Sequence, residues 1–324
     1  MFTVIVAVYN AECTLARCLD SLLCQTLADI EVLCVDDASV DASLQCLMAY
    51  ALKDNRVRVF SLCENRGAAH ARNVALRHAK GAYTTFLDSD DWMSADCLQR
   101  AAEAFAARPS VDCVLFKLVN VDENGRQTDY PMQPARYDGY EAFVKSLSWN
   151  IHGCYAVKTA LHQMVPYDES CRAYSDDNTT RLHYLRSHEV DCCDGVYYYY
   201  QNAASVTHSV SIRHFDYLEA TVSMRRQLVQ MGQSASVLRL YERIRWWVVV
   251  DMYGFWYLHR QELGPRRSAY ALAMIRRTWR GIDTASIPFR FKAKLGYIPF
   301  RGLWRCFFCE EWLYFSLKRL LRKI

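Results

Sequence analysis

A short acidic run, Asp88-Ser89-Asp90-Asp91, directly follows an apolar segment in the first third of the chain. Side chains two positions apart on an extended segment point the same way, so Asp88 and Asp90 can face one divalent cation and the phosphates that it binds. Asp91 adds a third carboxylate within reach. Aspartates are also common helix N-caps, so the run alone is equally compatible with a solvated turn before a helix.

A second acidic pair, Asp36-Asp37, follows the apolar run of residues 30–35. At the end of a buried strand such acids can accept a hydrogen bond from a base N–H or a ribose hydroxyl, or they can form an Asx-turn that caps the next helix. Tyr9 ends the first apolar run and offers a ring that can stack on a base, the alternative being a tyrosine packed in the core. Asn10 is predicted to be a helix N-cap.

The segments between these clusters alternate between strand and helix patterns. The β-branched apolar runs are too short to be helices, which makes them buried strands. Alternation of this kind predicts an α/β fold with a mostly parallel sheet, helices on both faces, and ligands beyond the carboxyl ends of the strands. The polar clusters then share one edge of the sheet. The predicted strands are residues 2–9, 30–35, 57–62 and 83–87, and the predicted helices lie within residues 11–26, 43–53 and 68–79.

The composition is that of a globular protein, with 52% hydrophobic and 23% charged residues. It excludes a disordered chain. The 14 cysteines are scattered, and residues 1–9 lack the basic start and cleavage site of a secretory signal, so we expect reduced thiols and a cytoplasmic location. Cys306 and Cys309 have no second pair or nearby histidines to complete a zinc site.

From about residue 211 the chain is predicted to be helical, and its basic residues are concentrated near the end. From Arg290 onward nine basic and two acidic residues give a net charge of +7, which leaves −3 for the preceding 289 residues. No apolar run reaches the roughly 18 residues needed to span a bilayer. Residues 290–324 therefore predict an interfacial helix on an anionic membrane surface, the alternative being a helix docked on the protein itself. The aromatic and leucine content of this segment disfavours nucleic acid as the partner.

Several short motifs occur in an order and spacing that resemble the N-terminal half of the family 2 glycosyltransferases, which have the GT-A fold. The resemblance is dense over residues 1–95 and thinner over residues 168–209. The motifs are Val8-Tyr-Asn10, Cys18-Leu-Asp-Ser-Leu-Leu-Cys-Gln-Thr26, Val35-Asp-Asp-Ala-Ser39, Glu64-Asn-Arg-Gly67, Ala71-Arg-Asn73 and Phe86-Leu-Asp-Ser-Asp-Asp-Trp92.

The resemblance implies a donor site for a nucleotide sugar. Tyr9 and Asp37 would contact the nucleotide base, with Asp36 nearby. Arg72 would lie near the diphosphate or the sugar. Asp88 would form the ribose and metal end of the family's Asp-x-Asp motif.

The same motif implies a divalent metal cofactor, Mn²⁺ or Mg²⁺. Asp90 is the preferred direct ligand, with Asp88 and Asp91 beside it. His208 would complete the metal shell if it acts as a late histidine does in some relatives, and a surface histidine is the alternative.

The segment Tyr174-Ser-Asp-Asp-Asn178 occupies the place of the family's Glu-Asp pair, whose aspartate is usually the catalytic base. By this correspondence Asp177 is the base, and Asp176 replaces the glutamate with a side chain one methylene shorter. Two acids in the first turn of a helix, placed there by the helix dipole, are the alternative interpretation.

The resemblance implies an inverting glycosyltransferase that moves a sugar, with UDP-sugars as the expected donors, to a hydroxyl of a glycan or lipid-linked acceptor in cell-surface polysaccharide synthesis. It would work at the inner face of the cell membrane. Residues 1–210 would form the catalytic domain, with residues 1–95 binding the donor and 96–210 the acceptor, and residues 211–324 a helical region.

Other functions fit the sequence less well. A nucleotidyltransferase or a nicotinamide dehydrogenase would need a glycine-rich phosphate loop after the first strand, and none is present. Transfer to a polyprenyl phosphate would need no base, because that nucleophile is already an anion. A sugar-nucleotide-binding subunit without catalysis is the non-enzymatic alternative, although all the motif acids are intact.

Overall fold

The computed structural model describes residues 1–132, 135–201, 210–298, 300 and 303–321. The chain divides into two compact units, Met1–Ala203 and Ala204–Ile324.

The first unit is built on one mixed sheet. Its strand order is β3-β2-β1-β4-β9-β6-β10-β5, with β7 beside β6 and β8 beside β10. The pairs β3–β2, β2–β1, β1–β4 and β6–β10 are parallel, and β9 runs antiparallel between β4 and β6. The strands are β1 (Phe2–Val8), β2 (Ile30–Asp36), β3 (Val57–Ser61), β4 (Tyr83–Phe86), β5 (Trp92–Met93), β6 (Val111–Val121), β7 (Gln127–Asp129), β8 (Tyr137–Asp138), β9 (Tyr155–Lys158) and β10 (Glu189–Tyr200).

Helices cover both faces of this sheet, because successive side chains of a strand point to opposite sides. Val4 and Val6 of β1 pack in one apolar cluster with α1 and α4, whereas Ile5 packs in a second cluster with α3. The predicted α/β fold is thus confirmed. The helices of this unit are α1 (Leu15–Leu23), α2 (Ser43–Lys53), α3 (Ala68–Leu76), α4 (Cys97–Ala107), α5 (Gly139–Ser146), α6 (Thr159–Met164) and α7 (Ser175–Arg186).

One detail of the first helix differs from its prediction. Asn10 is not the N-cap: α1 begins at Leu15, with Thr14 in the cap position. The backbone of Asn10 is instead in the left-handed region, with φ of 49°.

The second unit is helical, as predicted. Two short 3₁₀ turns, Ile212–Phe215 and Thr284–Ser286, accompany its α-helices. Within the described residues no helix is long and apolar enough to cross a bilayer. The helices are α8 (Asp216–Gln230), α9 (Ala235–His259), α10 (Gly264–Arg280), α11 (Phe289–Lys292) and α12 (Trp304–Leu320).

The terminal helix α12 packs against α9 through aromatic rings. The ring centroids of Phe307 and Trp246 are 5.5 Å apart, and those of Phe315 and Tyr253 are 6.1 Å apart. One face of α12 is therefore docked on its own unit, and its opposite face is exposed to solvent.

Candidate active site

The loops that follow β1 and β2 are joined by hydrogen bonds. The N–H of Asn10 donates to Ser39 Oγ (3.0 Å), and the N–H of Val40 donates to Asn10 Oδ1 (2.9 Å). Asparagine tolerates the left-handed backbone that this turn requires. Tyr9, beside the turn, remains 48% exposed, so its ring is accessible to a ligand.

The two acids after β2 have different partners. Asp37 is buried, and its two carboxylate oxygens accept hydrogen bonds from the N–H groups of Arg66 (2.8 Å) and Gly67 (2.7 Å). Asp37 thereby fixes the turn that begins α3. Asp36 accepts from the N–H of Ser39 through Oδ2 (3.3 Å), whereas its buried Oδ1 has no partner among the described residues.

Helix α3 carries Arg72, which bridges two separate acids. Its guanidinium donates to Asp88 Oδ1 (2.5 Å) and to Asp176 Oδ2 (3.1 Å), and lies 4.5 Å from the ring centroid of Phe86. Arg72 is only 3% exposed. Burial lowers the pKa of Arg72, but the charges of Asp88 and Asp176 outweigh burial and raise this pKa above its ordinary value. The bridge joins the loop after β4 to the start of α7.

Asp91 holds the acidic loop against β10. Its Oδ2 accepts from the hydroxyl of Tyr197 (2.8 Å) and its Oδ1 from the N–H of Tyr200 (2.7 Å). The same Tyr197 oxygen accepts from the N–H of Asp88 (3.2 Å). Asp91 was predicted to be a metal ligand, whereas the structure buries it with both carboxylate oxygens already hydrogen-bonded.

Asp90 is only partly buried and lies next to a second negative charge. Burial, and then the charge of Asp88, raise the pKa of Asp90 to about 6. Arg17 donates to the backbone carbonyl of Asp90 (2.7 Å), and its guanidinium stacks 3.9 Å from the ring centroid of Trp92. The loop is thus anchored through its backbone, which leaves the Asp90 carboxylate available.

Asp88 and Asp90 fit a metal that is bound jointly with substrate. Mg²⁺ and Mn²⁺ commonly take one or two carboxylates together with substrate phosphates. Over the ranges that the structure describes, no three His, Cys, Asp or Glu side chains form a metal centre by themselves. His208 lies outside the described residues.

The start of α7 presents two acids to the same region. Tyr174 has φ of 66°, and this left-handed residue leads directly into the first turn, which contains Asp176 and Asp177. Burial by surrounding protein raises the pKa of Asp177 to about 7, with Asp176 adding to the shift and Arg181 and Arg72 opposing it. The side chain is nevertheless partly exposed to solvent.

Asn73, to which sequence analysis gave no role, connects α3 to the segment before α7. Its side-chain amide donates to Tyr167 O (2.9 Å) and accepts from the N–H of Tyr167 (2.8 Å). Glu169 Oε1 also accepts from this amide (2.7 Å). The signal for this role is a polar residue beside Arg72 on a helix whose other inward positions are apolar.

The structure therefore brings most of the predicted site residues to one edge of the sheet. Strands β2, β1 and β4 lie side by side, with Val8 in register with Asp36, so the loops that follow these strands are neighbours. The Arg72 bridge adds α7, and with it Asp177, to that edge.

A family model described as glycosyl transferase family 2 matches residues 3–165, half of the chain. The chain belongs to this family. Glycosyltransferase GlyA of Streptococcus pneumoniae is 43% identical over 97 residues, which cover 30% of this chain and 14% of that protein. Poly(ribitol-phosphate) beta-glucosyltransferase of Bacillus spizizenii is 30% identical over 203 residues, 61% of this chain and 32% of that protein. The chain spans less than half the length of the curated relatives that it matches.

Solved structures share the fold of this family 2 member at low identity. Residues 1–349 of TarS from S. aureus, in complex with UDP-GlcNAc, give a TM-score of 0.74 at 20% identity, covering 99% of this chain and 91% of that one. The mannosyltransferase PcManGT from Pyrobaculum calidifontis, in complex with GDP-Man and Mn²⁺, gives 0.54 at 20% identity, covering 100% and 88%. These similarities establish the GT-A architecture.

Proposed function

We propose that the chain is an inverting, metal-dependent glycosyltransferase that moves a sugar from a nucleotide sugar, with UDP-sugars as the first candidates, to a hydroxyl of an acceptor. One observation carries this proposal: Arg72 joins Asp88 of the donor loop to Asp176, the neighbour of Asp177. Groups suited to a leaving diphosphate and to an attacking hydroxyl are thereby held in one network. The UDP-GlcNAc complex of the TarS structure, which shares the fold, supports a UDP-sugar.

On the donor side, Tyr9 would stack on the base through its exposed ring. The unpartnered Oδ1 of Asp36 is the acceptor that we assign to a base N–H or a ribose hydroxyl. Asp37 acts indirectly, because its oxygens hold the turn that leads into α3 and Arg72.

Asp88 and Asp90 would hold Mn²⁺ or Mg²⁺, and Asp91 would keep their loop in place without binding the ion. When bound, the metal supplies positive charge to the diphosphate. The Mn²⁺ complex of the mannosyltransferase that shares the fold supports this assignment. Arg72, buried and bonded to Asp88, adds a fixed positive charge beside the leaving group.

Asp177 would act as the general base. As the acceptor oxygen attacks the anomeric carbon, the bond from this carbon to the diphosphate oxygen breaks and Asp177 takes the hydroxyl proton. One displacement inverts the anomeric centre. Base catalysis of this kind typically contributes about a hundredfold to ten-thousandfold.

The acceptor would be a growing glycan or a lipid-linked chain in cell-surface polysaccharide synthesis. The name of the Bacillus spizizenii relative, which transfers glucose to poly(ribitol phosphate), supports this class. A location at the inner face of the membrane is supported by the exposed face of α12. Every third or fourth residue along this face is apolar or a cysteine, and the set is Cys306, Cys309, Leu313, Leu317 and Leu320.

A donor screen tests the catalytic proposal. The full chain is incubated with Mn²⁺ or Mg²⁺ and a panel of UDP-, GDP- and dTDP-sugars, and released nucleoside diphosphate is measured with Asp90→Ala, Asp177→Ala and the exposed-site control Glu103→Gln in parallel. We expect metal-dependent release from one donor, lost in the first two variants and kept in the control. NMR of the first-formed sugar product, recorded before mutarotation, should show the opposite anomeric configuration to the donor.

Three outcomes would contradict parts of this proposal. If no donor binds or turns over, a binding subunit is the better interpretation. Full activity in Asp177→Ala would indicate an acceptor that is already an anion, such as a polyprenyl phosphate. A retained anomeric configuration would exclude the single displacement.

Vesicle flotation tests the membrane surface separately. We expect the protein to bind phosphatidylglycerol vesicles more strongly than phosphatidylcholine vesicles, and the double variant Leu313→Glu with Leu317→Glu to lose that binding. The control pair is Met48→Glu with Leu52→Glu, also exposed and one turn apart on α2. An equal loss in both pairs would contradict a specific role for α12.

A further inference from the structure

A groove in the second unit has walls of arginine and tryptophan. It lies between α10 and the first residue of α12, and its volume is about 550 Å³. Its walls are Arg276, Arg277, Arg280 and Trp304. Arg276 and Arg280 are four residues apart on one face of α10, about 6 Å along the helix axis.

The positive charge of this groove is poorly compensated. The sequence of α10 contains five arginines and no acidic residue. Arg277 forms an ion pair with Glu219, whereas in the described parts of the chain no carboxylate pairs with Arg276 or Arg280. Exposed arginines held together on one helix repel one another, and an anion placed between them removes that repulsion.

The groove combines arginines at its rim with a mostly apolar surface between them, so it suits a chain in which phosphates alternate with carbon-rich units. The apolar surface includes Ala269, Leu272 and Ala273, and the two alanines let a ligand approach the helix closely. Trp304 forms one wall, with the guanidinium carbon of Arg276 5.9 Å from its ring centroid. Guanidinium groups bind phosphate through paired hydrogen bonds, and an indole face can pack on a polyol or sugar. The exposed leucines that suit a bilayer lie on α12 instead.

We propose that this groove binds phosphate groups along a phosphodiester-linked acceptor, a polyol- or sugar-phosphate chain. The inference rests on the proposed transferase function and specifies its acceptor class. Arg276 and Arg280 bind the phosphates, and Trp304 contacts the intervening polyol or sugar.

Binding of a synthetic ribitol phosphate hexamer to the full chain tests the inference without any donor. Isothermal titration calorimetry would compare wild type, the groove pair Arg276→Gln with Arg280→Gln, and the control pair Arg266→Gln with Arg267→Gln. Both pairs remove two exposed arginines from α10, but the control pair lies outside the groove. We expect the Kd to rise on the order of a hundredfold in the groove pair and less than threefold in the control. An uncharged maltohexaose should not bind at the groove.

Two further measurements separate the alternatives. Far-UV circular dichroism should show that both pairs keep their helix content. Phosphatidylglycerol vesicles should bind equally to wild type and groove pair. If the groove pair loses vesicle binding but still binds the hexamer, the groove binds lipid headgroups and the inference is wrong. An equal loss of hexamer binding in both pairs, or no binding by the wild type, also overturns it.

The inference and the proposed function can fail independently. In sugar transfer to the hexamer, the groove pair should raise KM about as much as it raises Kd and leave kcat unchanged. A chain that binds the hexamer through the groove but never transfers sugar contradicts only the proposed function. A chain that transfers sugar with an unchanged KM in the groove pair contradicts only the inference.

Discussion

The sheet edge of the first unit and the α9–α12 interface of the second treat buried acids in opposite ways. At the sheet edge, Asp37 and Asp91 each have both oxygens hydrogen-bonded, and Arg72 is shared between two carboxylates. At the α9–α12 interface, Glu311 is fully buried and shares a hydrogen bond with a second acid, Glu310, while no ion pair links it to a basic side chain among the described residues.

This difference in how the acids are partnered indicates what each region contributes to the protein. A partnered charge is fixed in direction, because moving it leaves a buried group unsatisfied at a cost of about 1–3 kcal/mol. Aromatic packing, as between Tyr253 and Phe315, is less directional and contributes roughly 0.5–1.5 kcal/mol per ring pair beyond area burial. The sheet edge therefore holds its charged groups in fixed positions, which suits catalysis. The aromatic packing of the helical interface stabilises the second unit even though it encloses the acid Glu311.

The largest expected effect is that of replacing Asp177, the proposed base. Asp177→Asn keeps the shape of the side chain but cannot accept a proton, so we expect kcat to fall by about a hundredfold to ten-thousandfold. In the wild type, the logarithm of kcat/KM should rise with unit slope below about pH 7, where Asp177 becomes ionised, and level off above. The variant should lack this ionisation. A similar profile in both proteins would assign the pH dependence to another group.

A smaller loss is expected at the bridging arginine. Arg72→Lys keeps the charge but not the planar fork that bonds two carboxylates at once, so we expect kcat/KM to fall roughly thirtyfold to a hundredfold. Because the buried positive charge then loses one of its two carboxylate partners, the Tm should fall as well. Arg100→Lys, at an exposed ion pair, is the control. An unchanged Tm in Arg72→Lys would mean that the edge is as tolerant as the helical interface.

Removing the hydrogen bonds that support the loop of Asp88 and Asp90 should weaken the proposed metal binding about tenfold. Tyr197→Phe removes the hydroxyl that joins Asp91 to the N–H of Asp88, so the loop carrying Asp88 and Asp90 loses a positioning contact. We expect the Mn²⁺ concentration for half-maximal activity to rise about tenfold, a typical effect of losing an outer-shell partner. Tyr198→Phe is the matched control on the same strand. A lower kcat at saturating Mn²⁺, with unchanged metal affinity, would contradict a role in metal positioning.

The smallest effect is expected from replacing Glu311, and this variant should gain stability where the preceding variants lose activity or stability. Burial, and then the charge of Glu310, raise the pKa of Glu311 to about 10, so the folded state keeps the proton while the unfolded state releases it above about pH 4.5. Stability therefore declines as the pH rises between these two values. Glu311→Gln should remove that decline and raise the Tm at pH 8 by on the order of 5 °C, with the sugar-transfer rate unchanged. A lower Tm at pH 8 would show that the hydrogen bond with Glu310 contributes more than the burial of Glu311 costs.

Local patterns were sufficient to predict the first four strands and the residues at their ends. Apolar runs bounded by turn residues placed β1 and β2 within one or two residues of their observed bounds. The antiparallel insertion of β9 between β4 and β6 was not predictable, because it depends on pairing with segments about 70 and about 40 residues away along the chain, and these segments have no periodic signature of their own.

The site shows the same division between local and distant information. Asp88 and Asp90 could be identified from their spacing and their position after a strand. The engagement of Asp91 could not, because Tyr197 and Tyr200 follow it by more than 100 residues. Asn10 was predicted as a helix cap from its type, but its partner Val40 lies in another loop.

The link between Asp91 and β10 also sets an order for biosynthesis. Strands β1 to β4 are adjacent in the sheet and early in the chain, so they can pair while the ribosome is still translating the rest. The acidic loop is fixed only when Tyr197 and Tyr200 have been made and β10 has joined β6. Contacts of such long sequence separation form late in folding. The loop of Asp88 and Asp90 therefore reaches its final position only after the whole first unit has left the ribosome.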